Sequence, residues 1–243
     1  EDIHAGEIQH SCRENGIDIT HSRSVSGAST STYMFITDEN GDMQLAVSDM
    51  EIYSYLTPEY IASKLDVINN ASLCVIDTNL PAETIQYLCE NCTVPIFADP
   101  VSTAKAVKLL PVLGKIHTIK PNMLEAALLT GIPVTDERSA RKAVDILLEL
   151  GVRQVFLSMG AAGVLYGNAR GKKRIPNYPA EIRNTTGAGD SFMAALVMAY
   201  LSEFSTEKAA RCGLAAAAIC IEGENTINEK LSRQTVLDRI SEN

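Results

Sequence analysis

The sequence predicts an α/β protein in which helices flank a doubly wound, mainly parallel sheet, with a small β lid beside it. Short apolar runs of the buried-strand type alternate with helical segments between residues 72 and 158. Ahead of them, two strand-like runs flank Asn40-Gly41, a strong hairpin signal. Strands separated by helices require right-handed crossovers, which place helices on both faces of the sheet. We therefore expect one main domain over residues 1–243, with a lid hairpin over residues 31–48.

Each predicted strand is a short apolar run bounded by turn residues, and the helices have identifiable starts or ends. Pro81 suits the first turn of a helix, and Gly131 and Gly151 suit the ends of two others. The basic run 170–174 is predicted to be a solvated, hairpin-like loop between strands. The predicted strands cover residues 72–77, 94–99, 115–119, 155–158 and 164–166, and the helices cover residues 81–90, 102–110, 122–130, 136–150, 191–202 and 206–221.

Composition and charge argue against several functional classes. The chain has 243 residues, is 46% hydrophobic and carries a formal net charge of −9. That charge disfavours binding to nucleic acid or to an anionic membrane surface. The most apolar stretch, residues 214–221, is far too short for a membrane span. Six scattered cysteines are typical of reduced thiols. We expect a cytoplasmic protein that binds small molecules, with no nucleic-acid or membrane partner.

A glycine-rich run, Thr186-Gly-Ala-Gly-Asp190, follows a short strand-like segment and opens a helix predicted from Ser191. Its glycines let several N–H groups point toward one ligand, and the helix start adds partial positive charge. Such a nest suits the negative charge of a transferring phosphoryl group. Asp190 at its rim is placed to accept a proton from an attacking hydroxyl. The spacing fits equally well a plain glycine-rich cap, in which Asp190 only caps the helix.

Extended back to Asn184, this run resembles the second signature of the PfkB family of ribokinase-like small-molecule kinases. The resemblance implies that Asp190 is the catalytic base and that Gly187, Ala188 and Gly189 form the anion hole. The family more commonly has Asp where Asn184 stands, at a position that helps to hold a monovalent cation. Because asparagine still offers an oxygen, Asn184 is a candidate ligand for K⁺.

The segment Lys120-Pro-Asn-Met-Leu-Glu125 resembles the family's Asn-x-x-Glu motif. The resemblance implies that Asn122 and Glu125 position Mg²⁺ and phosphate through water. Their i, i+3 spacing puts both side chains on one helix face, beside the carboxyl end of a strand. The same pair also fits an N-cap Asn with a capping Glu, and Leu-Thr-Gly131 follows as the family has it.

Two further segments resemble nucleotide-binding elements of the family. The run 158–163, Ser-Met-Gly-Ala-Ala-Gly, follows a strand as the phosphate-lining segment does, although an ordinary tight turn has the same pattern. The alanine-rich helix at 214–218 and the loop at 224–225 resemble the adenine-side wall, although alanine runs also serve plain helix packing. By this resemblance ATP is expected to contact Ser158, Gly160, Gly163, Thr186, Leu214 and Asn225.

Within the family the resemblance is to pseudouridine kinases, and it covers essentially the whole chain. It rests on Asp99-Pro-Val-Ser102 with Lys105, on Ser48-Asp-Met50 and on residues 116–122. Asp99, Ser102 and Lys105 follow a strand end, where ligands bind in open α/β sheets, and are candidate substrate residues. The alternative is an Asp-Pro turn that ends the strand, with Ser102 capping the next helix.

The first residues of the chain depart from the family pattern. Family members open with strands that carry a substrate-binding Asp and a Gly-Gly-x-x-x-Asn segment, whereas residues 1–7 resemble the helix that follows them. We therefore expect a PfkB-type kinase domain without its N-terminal strands, and an exposed sheet edge that favours pairing. The resemblance also implies pairing of lid strands in a homodimer.

These patterns lead to two functional hypotheses. The first is an ATP- and Mg²⁺-dependent kinase that phosphorylates the 5′-hydroxyl of pseudouridine, with ribose, another nucleoside or a keto-deoxy sugar acid as alternative substrates. The second is a catalytically impaired nucleotide-binding fragment. The intact run from Gly187 to Asp190 favours the enzyme, and the missing sugar-cradling segment favours the fragment.

Overall fold

The computed structural model describes residues 2–37 and 43–242, and alternates helices with strands over most of that length. 3₁₀ helices cover Glu51–Tyr55, Val107–Lys115 and Gly160–Ala162. In chain order the other elements are α1 (Ile3–Glu14), β1 (Thr32–Thr37), β2 (Met43–Asp49), α2 (Pro58–Ala62), α3 (Leu65–Asn69), β3 (Cys74–Asp77), α4 (Ala82–Asn91), β4 (Ile96–Asp99), α5 (Thr103–Ala106), β5 (Thr118–Ile119), α6 (Met123–Thr130), α7 (Glu137–Glu149), β6 (Gln154–Ser158), β7 (Val164–Asn168), β8 (Gly171–Ile175), α8 (Ala188–Leu201), α9 (Thr206–Ile221) and α10 (Arg233–Ser241).

The main sheet has six strands in the order β3-β4-β5-β6-β7-β8. The first four are parallel, and β7 and β8 continue the sheet antiparallel. The change of direction follows from the linkers, because a short connection can join antiparallel strands whereas a parallel pair needs a long crossover. The predicted mixed, mainly parallel α/β sheet is therefore confirmed.

Helices cover both faces of this sheet, so that its strands are buried on two sides. Along β6 the side chains alternate: Val155 and Leu157 pack into one core with α4, α6 and α7, while Phe156 packs into a second core with α8, α9 and α10. Phe97 and Ala98 divide in the same way on β4. This two-sided burial explains why the strands read as continuous apolar runs.

Three local predictions are wrong, each for a physical reason. Residues 171–175, predicted to lie in a loop, form the edge strand β8, where basic side chains can point to solvent and protect the edge. The helix predicted over residues 102–110 is split into α5 and a 3₁₀ helix, because Pro111 lies within the second segment. Helix α8 begins at Ala188, three residues before the predicted start, and the structure assigns no strand between residues 176 and 186.

The strands β1 and β2 pair antiparallel, with Met34 opposite Val47 and Ile36 opposite Leu45. These four side chains share one face of the two-stranded sheet and are all more than half exposed. The predicted Asn40-Gly41 turn lies outside the described residues. The roles of residues 31–48 as a lid and as a dimer contact stay predictions.

The described residues include no helix that combines the length and the apolar character needed to span a bilayer.

The packing of α8 against α9 leaves no room for a side chain at Gly213, and a substitution can test this. A methyl group at Gly213 would come 2.5 Å from two atoms of the buried Phe192 ring, whereas one at Gly6 in exposed α1 would meet nothing within 4 Å. Overpacking costs about 1–3 kcal/mol, against a helix-propensity gain of about 1 kcal/mol. Because the contact is as short as 2.5 Å, we expect overpacking to prevail and Gly213→Ala to lower the free energy of unfolding by about 1–2 kcal/mol, measured by urea denaturation.

The matched control is Gly6→Ala, which makes the same chemical change without a neighbour and should leave the protein equally stable or more stable. Equal stabilisation by the two substitutions would contradict the tight packing at Gly213.

Candidate active site

A polar cavity of about 400 Å³ lies where the parallel strands end. Its walls come from the carboxyl ends of β3, β4 and β6, from the segment that leads into α6, and from the first turn of α8. This is where ligands bind in open α/β sheets, because side chains that follow neighbouring parallel strands meet at one edge. The residues that line it are Asp77, Asp99, Val101, Lys120, Asn122, Glu125, Ser158, Gly189 and Asp190.

Gly187 allows α8 to begin in this position. It is the N-cap of the helix, with φ of 85°, in the left-handed region that favours glycine. A Cβ there would overlap the carbonyl oxygen of Thr226, so a side chain is excluded by space as well as by backbone conformation. The first-turn N–H groups of a helix lack intrahelical partners, and here that turn contains Gly189 and Asp190 beside the cavity.

Asp190 lies in the first turn of α8, where the residue as a whole is exposed although its carboxyl is partly desolvated. Burial raises the pKa of its carboxyl above the ordinary value of 3.8, and the charges of Asp99 and Asp77 raise it further. The charge of Lys120 acts in the opposite direction. Asp190 is therefore a carboxylate whose ionised form is disfavoured by its surroundings and is stabilised by one nearby cation.

Lys120 is that cation, and it is only 8% exposed. Its Nζ lies 3.1 Å from Oδ2 of Asp99, and its side chain runs against Gly189, where an added Cβ would meet Nζ at 3.2 Å. Lysine is almost never buried without a partner. Sequence reasoning assigned no role to Lys120, although a lysine directly before the Asn-x-x-Glu motif was visible in the sequence.

Asn122 and Glu125 are at once a helix cap and part of the cavity wall. Oδ1 of Asn122 accepts from the Glu125 N–H, and Oε2 of Glu125 accepts from the Asn122 N–H, each at 2.9 Å, which is a complete capping box. Glu125 is 4% exposed, and burial raises the pKa of its carboxyl, while the Asn122 N–H and Lys120 lower it. The cap interpretation of this motif is therefore confirmed, and a role toward Mg²⁺ and phosphate stays a prediction.

The donor set at this cavity suits Mg²⁺ bound through water. Mg²⁺ prefers oxygen ligands, keeps several waters and is usually bound by one or two carboxylates together with phosphate. Among the described residues no three His, Cys, Asp or Glu side chains come together as a direct metal cage. The oxygens of Asn122 and Glu125, beside a cavity that Asp99 and Asp190 make acidic, fit a hydrated ion.

Val101 adds a strained backbone to the cavity wall. It has φ of 60°, a left-handed conformation that is rare for a β-branched residue, and its N–H donates to Oδ1 of Asp99. Ser102 is the N-cap of α5 by position, but its side chain makes no capping hydrogen bond. Strain of this kind is often found at ligand sites. The Asp99–Ser102 turn therefore ends β4 with a strained residue at the cavity wall, and its role toward a substrate stays a prediction.

A second, larger cavity of about 780 Å³ adjoins the first. Lys120, Asn122, Ser158 and Gly189 line both, so the two share their polar end. Its other walls include the turn between β6 and β7, α8 and α9, and hold Gly160, Gly163, Ala188, Leu214, Ala217, Ala218 and Ile221.

Gly163 is required in the turn of this larger cavity. Its φ is 93°, and an added Cβ would overlap the carbonyl oxygen of Ile175 on β8. The Met159 N–H donates to the Gly163 carbonyl at 2.8 Å, which closes the turn after β6. The main chain at Gly163 therefore lies directly against the main chain of β8, with no room for a side chain between them.

A third cavity, of about 600 Å³, lies on the other side of Asp190. Asp77, Asp99 and Asp190 line it together with apolar side chains of β3 and α8, among them Val75, Met193 and Val197. Asp77 accepts hydrogen bonds from the backbone and side-chain N–H groups of Asn79. Sequence reasoning missed Asp77 as well, because an Asp at a strand end is not in itself distinctive.

Six predicted site residues, among them Thr186, lie outside the walls of these cavities. Lys105 donates to Oδ1 of Asn79, and so reaches Asp77 only through that side chain. Asn184 accepts from the Thr186 N–H and donates to the Glu224 carbonyl, which leaves its oxygen partly engaged. Asn225 is exposed on the loop after α9, and Ser102 is half-buried. Gly187 acts through the backbone turn described above.

Comparison with known proteins shows that this chain is similar to sugar and nucleoside kinases. It is 31% identical to pseudouridine kinase of Escherichia coli over 244 residues, which cover 98% of this chain and 77% of that protein. A structure from Clostridium perfringens, provisionally described as a sugar kinase, is 33% identical with a TM-score of 0.88, covering all of this chain and 77% of its own. Arabidopsis thaliana ribokinase, solved with ribose and ATP, has the same fold at 24% identity, with a TM-score of 0.83 over 99% of this chain and 79% of its own.

The fold and these relatives define a phosphotransferase of the sugar and nucleoside kinase class. A family model for the pfkB family carbohydrate kinases matches residues 1–233. The chain belongs to that family, and the predicted family and enzyme class are confirmed.

Because the pKa of Asp190 is raised, replacing its carboxyl with a neutral group is predicted to stabilise the folded protein, by an amount that depends on pH. A carboxyl whose pKa is higher in the folded state destabilises that state when ionised, and the effect disappears as pH falls below the unfolded value near 3.8. We expect Asp190→Asn to be more stable than the original chain at pH 7, with the difference shrinking toward pH 4, measured by urea denaturation.

Asp136→Asn is the control of opposite sign. Ser139 holds the pKa of the Asp136 carboxyl below its usual value, so this variant should be less stable at pH 7, and the deficit should shrink as pH falls. A loss of stability at pH 7 on replacing Asp190 would contradict the raised pKa.

Proposed function

We propose that the chain transfers the γ-phosphoryl group of ATP to the 5′-hydroxyl of a ribosyl compound, with pseudouridine as the preferred acceptor. One observation carries the proposal. Gly189 lines both the 780 Å³ and the 400 Å³ cavities, and Asp190, the next residue, lines both the 400 Å³ and the 600 Å³ cavities. The start of α8 therefore stands between a cavity of suitable size for a nucleotide and one open to an acceptor.

Asp190 is the proposed base. It lines the cavity on the acceptor side, where it can take the proton from the attacking hydroxyl. Its raised pKa makes it a better proton acceptor than an exposed aspartate. The N–H groups at Gly187, Ala188 and Gly189 are the proposed anion hole, because the N-terminus of a helix favours negative charge.

Lys120 has a supporting role in this proposal. Paired with Asp99 and set against Gly189, it brings one positive charge to the place where the transferred group passes. Asn122 and Glu125 would hold Mg²⁺ through water, and the ion would neutralise charge on the phosphates. Ser158, Gly160, Gly163, Thr186, Leu214 and Asn225 stay the proposed nucleotide contacts.

Charge favours a neutral acceptor over a sugar acid. The cavities next to Asp190 are lined by Asp77, Asp99 and Glu125, with Lys120 as the cation, and Lys120 is already paired with Asp99. A keto-deoxy sugar acid would bring a further negative charge against these carboxylates, whereas sugar hydroxyls can donate hydrogen bonds to them. We therefore rank ribosyl compounds above sugar acids.

Pseudouridine is preferred over ribose because of the similarity to pseudouridine kinase over most of both chains. The segment from Asp99 to Ser102 is the proposed substrate loop, and Lys105 would act on it indirectly through Asn79. K⁺ near Asn184, cytoplasmic location and a homodimer remain proposals that rest on family resemblance. The rival proposal, an impaired nucleotide-binding fragment, makes no product with any acceptor.

The product assay tests the proposed reaction directly. The chain is incubated with ATP, Mg²⁺ and, separately, pseudouridine, uridine, adenosine, ribose and a keto-deoxy sugar acid, and products are identified by mass spectrometry. We expect pseudouridine 5′-monophosphate to form fastest and the sugar acid to react least. If ATP binds but neither this chain nor a version extended before Glu1 phosphorylates any acceptor, the kinase proposal fails.

Replacing the proposed base separates catalysis from binding. We expect Asp190→Asn to lower kcat by about 10²–10⁴-fold, the usual contribution of a general base, while the affinity for ATP changes little. Steady-state kinetics and calorimetric titration with ATP measure the two quantities. Asp66→Asn, which removes an exposed carboxylate from α3, is the control and should leave kcat unchanged. Unchanged turnover of the Asp190 variant would remove Asp190 from this role.

A further inference from the structure

The segment that leads into α8 is held by the last turn of α9. The last four carbonyls of a helix have no partner within the helix. Here the Ile221 carbonyl accepts from the backbone N–H of Arg183 at 2.8 Å and from that of Asn184 at 3.3 Å. The Asn184 side chain adds a second link, because its Nδ2 donates to the Glu224 carbonyl at 3.1 Å, on the loop after α9. The start of α8 is therefore attached to the end of α9.

Cys220, in that same last turn of α9, reaches the turn that opens α8, residues 186–189. Its thiol donates to the Thr226 carbonyl, with Sγ and the oxygen 3.4 Å apart, and to the Thr186 carbonyl at 3.7 Å. A thiol carries one proton, which lies between the two oxygens or alternates between them. Within residues 2–37 and 43–242, no other group donates a hydrogen bond to either carbonyl. Both carbonyls adjoin Gly187: Thr186 precedes it, and a Cβ at Gly187 would overlap the Thr226 oxygen.

The burial of Cys220 is not explained by the packing of the apolar cores. Cys220 is fully buried, yet neither core includes it. Cys212, about two turns earlier on α9, is buried to the same extent and belongs to the second core. A methyl group in place of either thiol removes a sulfur atom, but only at Cys220 does it also leave carbonyls without their donor. An acceptor left without a partner costs more than the hydrogen bond contributes when it is made.

The position of the turn that opens α8 decides where the proposed anion hole and the proposed base lie. Ala188 and Gly189 line the 780 Å³ cavity, and Gly189 and Asp190 line the 400 Å³ cavity. A movement of this turn displaces the N–H groups and the Asp190 carboxyl together. Reacting groups have to be placed closely, and a displacement of about 1 Å from a distant mutation can cost 10²-fold in rate.

We propose that Cys220 is a positioning residue for phosphoryl transfer: its thiol ties the Thr186 carbonyl to the Thr226 carbonyl and so fixes the turn that opens α8. The proposal rests on the proposed function, in that residues 187–190 are taken as the transfer site. Cys220 itself lines none of the three cavities. Its loss therefore affects the rate of transfer more than the binding of ATP or of the acceptor.

Steady-state kinetics of two Cys220 variants test this role. Cys220→Ala removes the donor and is expected to lower kcat by about tenfold or more, while the KM values for ATP and for the acceptor change by less than about threefold. Cys220→Ser places a hydroxyl donor at the same position and is expected to retain kcat within about threefold of the original chain. A fall in kcat that the serine variant does not restore would overturn the proposal.

Cys212→Ala is the matched control, because it makes the same change on the same helix at equal burial, without a contact to the turn that opens α8. We expect its kcat to stay within about twofold of the original chain. If the two alanine variants lower kcat equally, Cys220 acts only through packing and the proposal is wrong.

Hydrogen exchange of the original chain and the three variants tests the contact without turnover. The backbone amides of residues 183–190, followed by mass spectrometry, are expected to exchange about tenfold faster in Cys220→Ala than in Cys220→Ser, Cys212→Ala or the original chain. Faster exchange in Cys220→Ala, with no acceptor phosphorylated by the original chain, supports the role of Cys220 in holding the turn and defeats the proposed function. Equal exchange and equal kcat in all four proteins supports the proposed function and overturns the role of Cys220.

Discussion

The placement of the Asp190 carboxyl at the start of α8, partly desolvated and near two other carboxylates, is the constraint on which the site depends. An ionised carboxyl in these surroundings is unfavourable, and the raised pKa of Asp190 reflects that cost. Two features make it tolerable: the partial positive charge at the start of α8 and the charge of Lys120. Lys120 in turn needs Asp99 as its partner, because a buried lysine without one would be costly. The three side chains therefore depend on one another.

The parallel arrangement of the strands brings these side chains close together. Asp77 and Asp99 are directly paired in register at the ends of β3 and β4, and Asn122 makes a bridge with Ser158 at the end of β6. Neighbouring parallel strands end together, so residues far apart in sequence meet at one edge. The first turn of α8 reaches the same edge because Gly187 permits a left-handed turn against the Thr226 carbonyl. The parallel direction of the strands therefore determines both the fold and the place where these polar residues meet.

Much of this architecture could be predicted from sequence, because burial on both faces gives strands an unmistakable apolar character. β3, β4, β6 and α9 lie within two residues of the predicted bounds. β8 could not be predicted in this way, since Lys172, Lys173 and Arg174 read as a solvated loop, and an edge strand tolerates those charges. Among the site residues, Gly189, Asp190, Asn122 and Glu125 belong to recognisable motifs and do meet in one cavity. Lys120 and Asp77 were missed because their importance lies in three-dimensional pairing, which local spacing does not encode.

For Asn122 and Glu125, the structure shows that a helix cap and a place in the cavity wall are compatible. A helix cap and a ligand-binding group looked like alternatives for Asn122 and Glu125, yet the complete capping box holds both side chains at the cavity wall. A helix that begins at the carboxyl end of a strand needs a cap at the place where ligands bind, so one pair of residues meets both requirements. The cap fixes the orientation of Glu125 through Oε2, the oxygen that accepts from the Asn122 N–H. A carboxylate held in this way would need no rearrangement to orient a hydrated cation, which is the role proposed for Glu125.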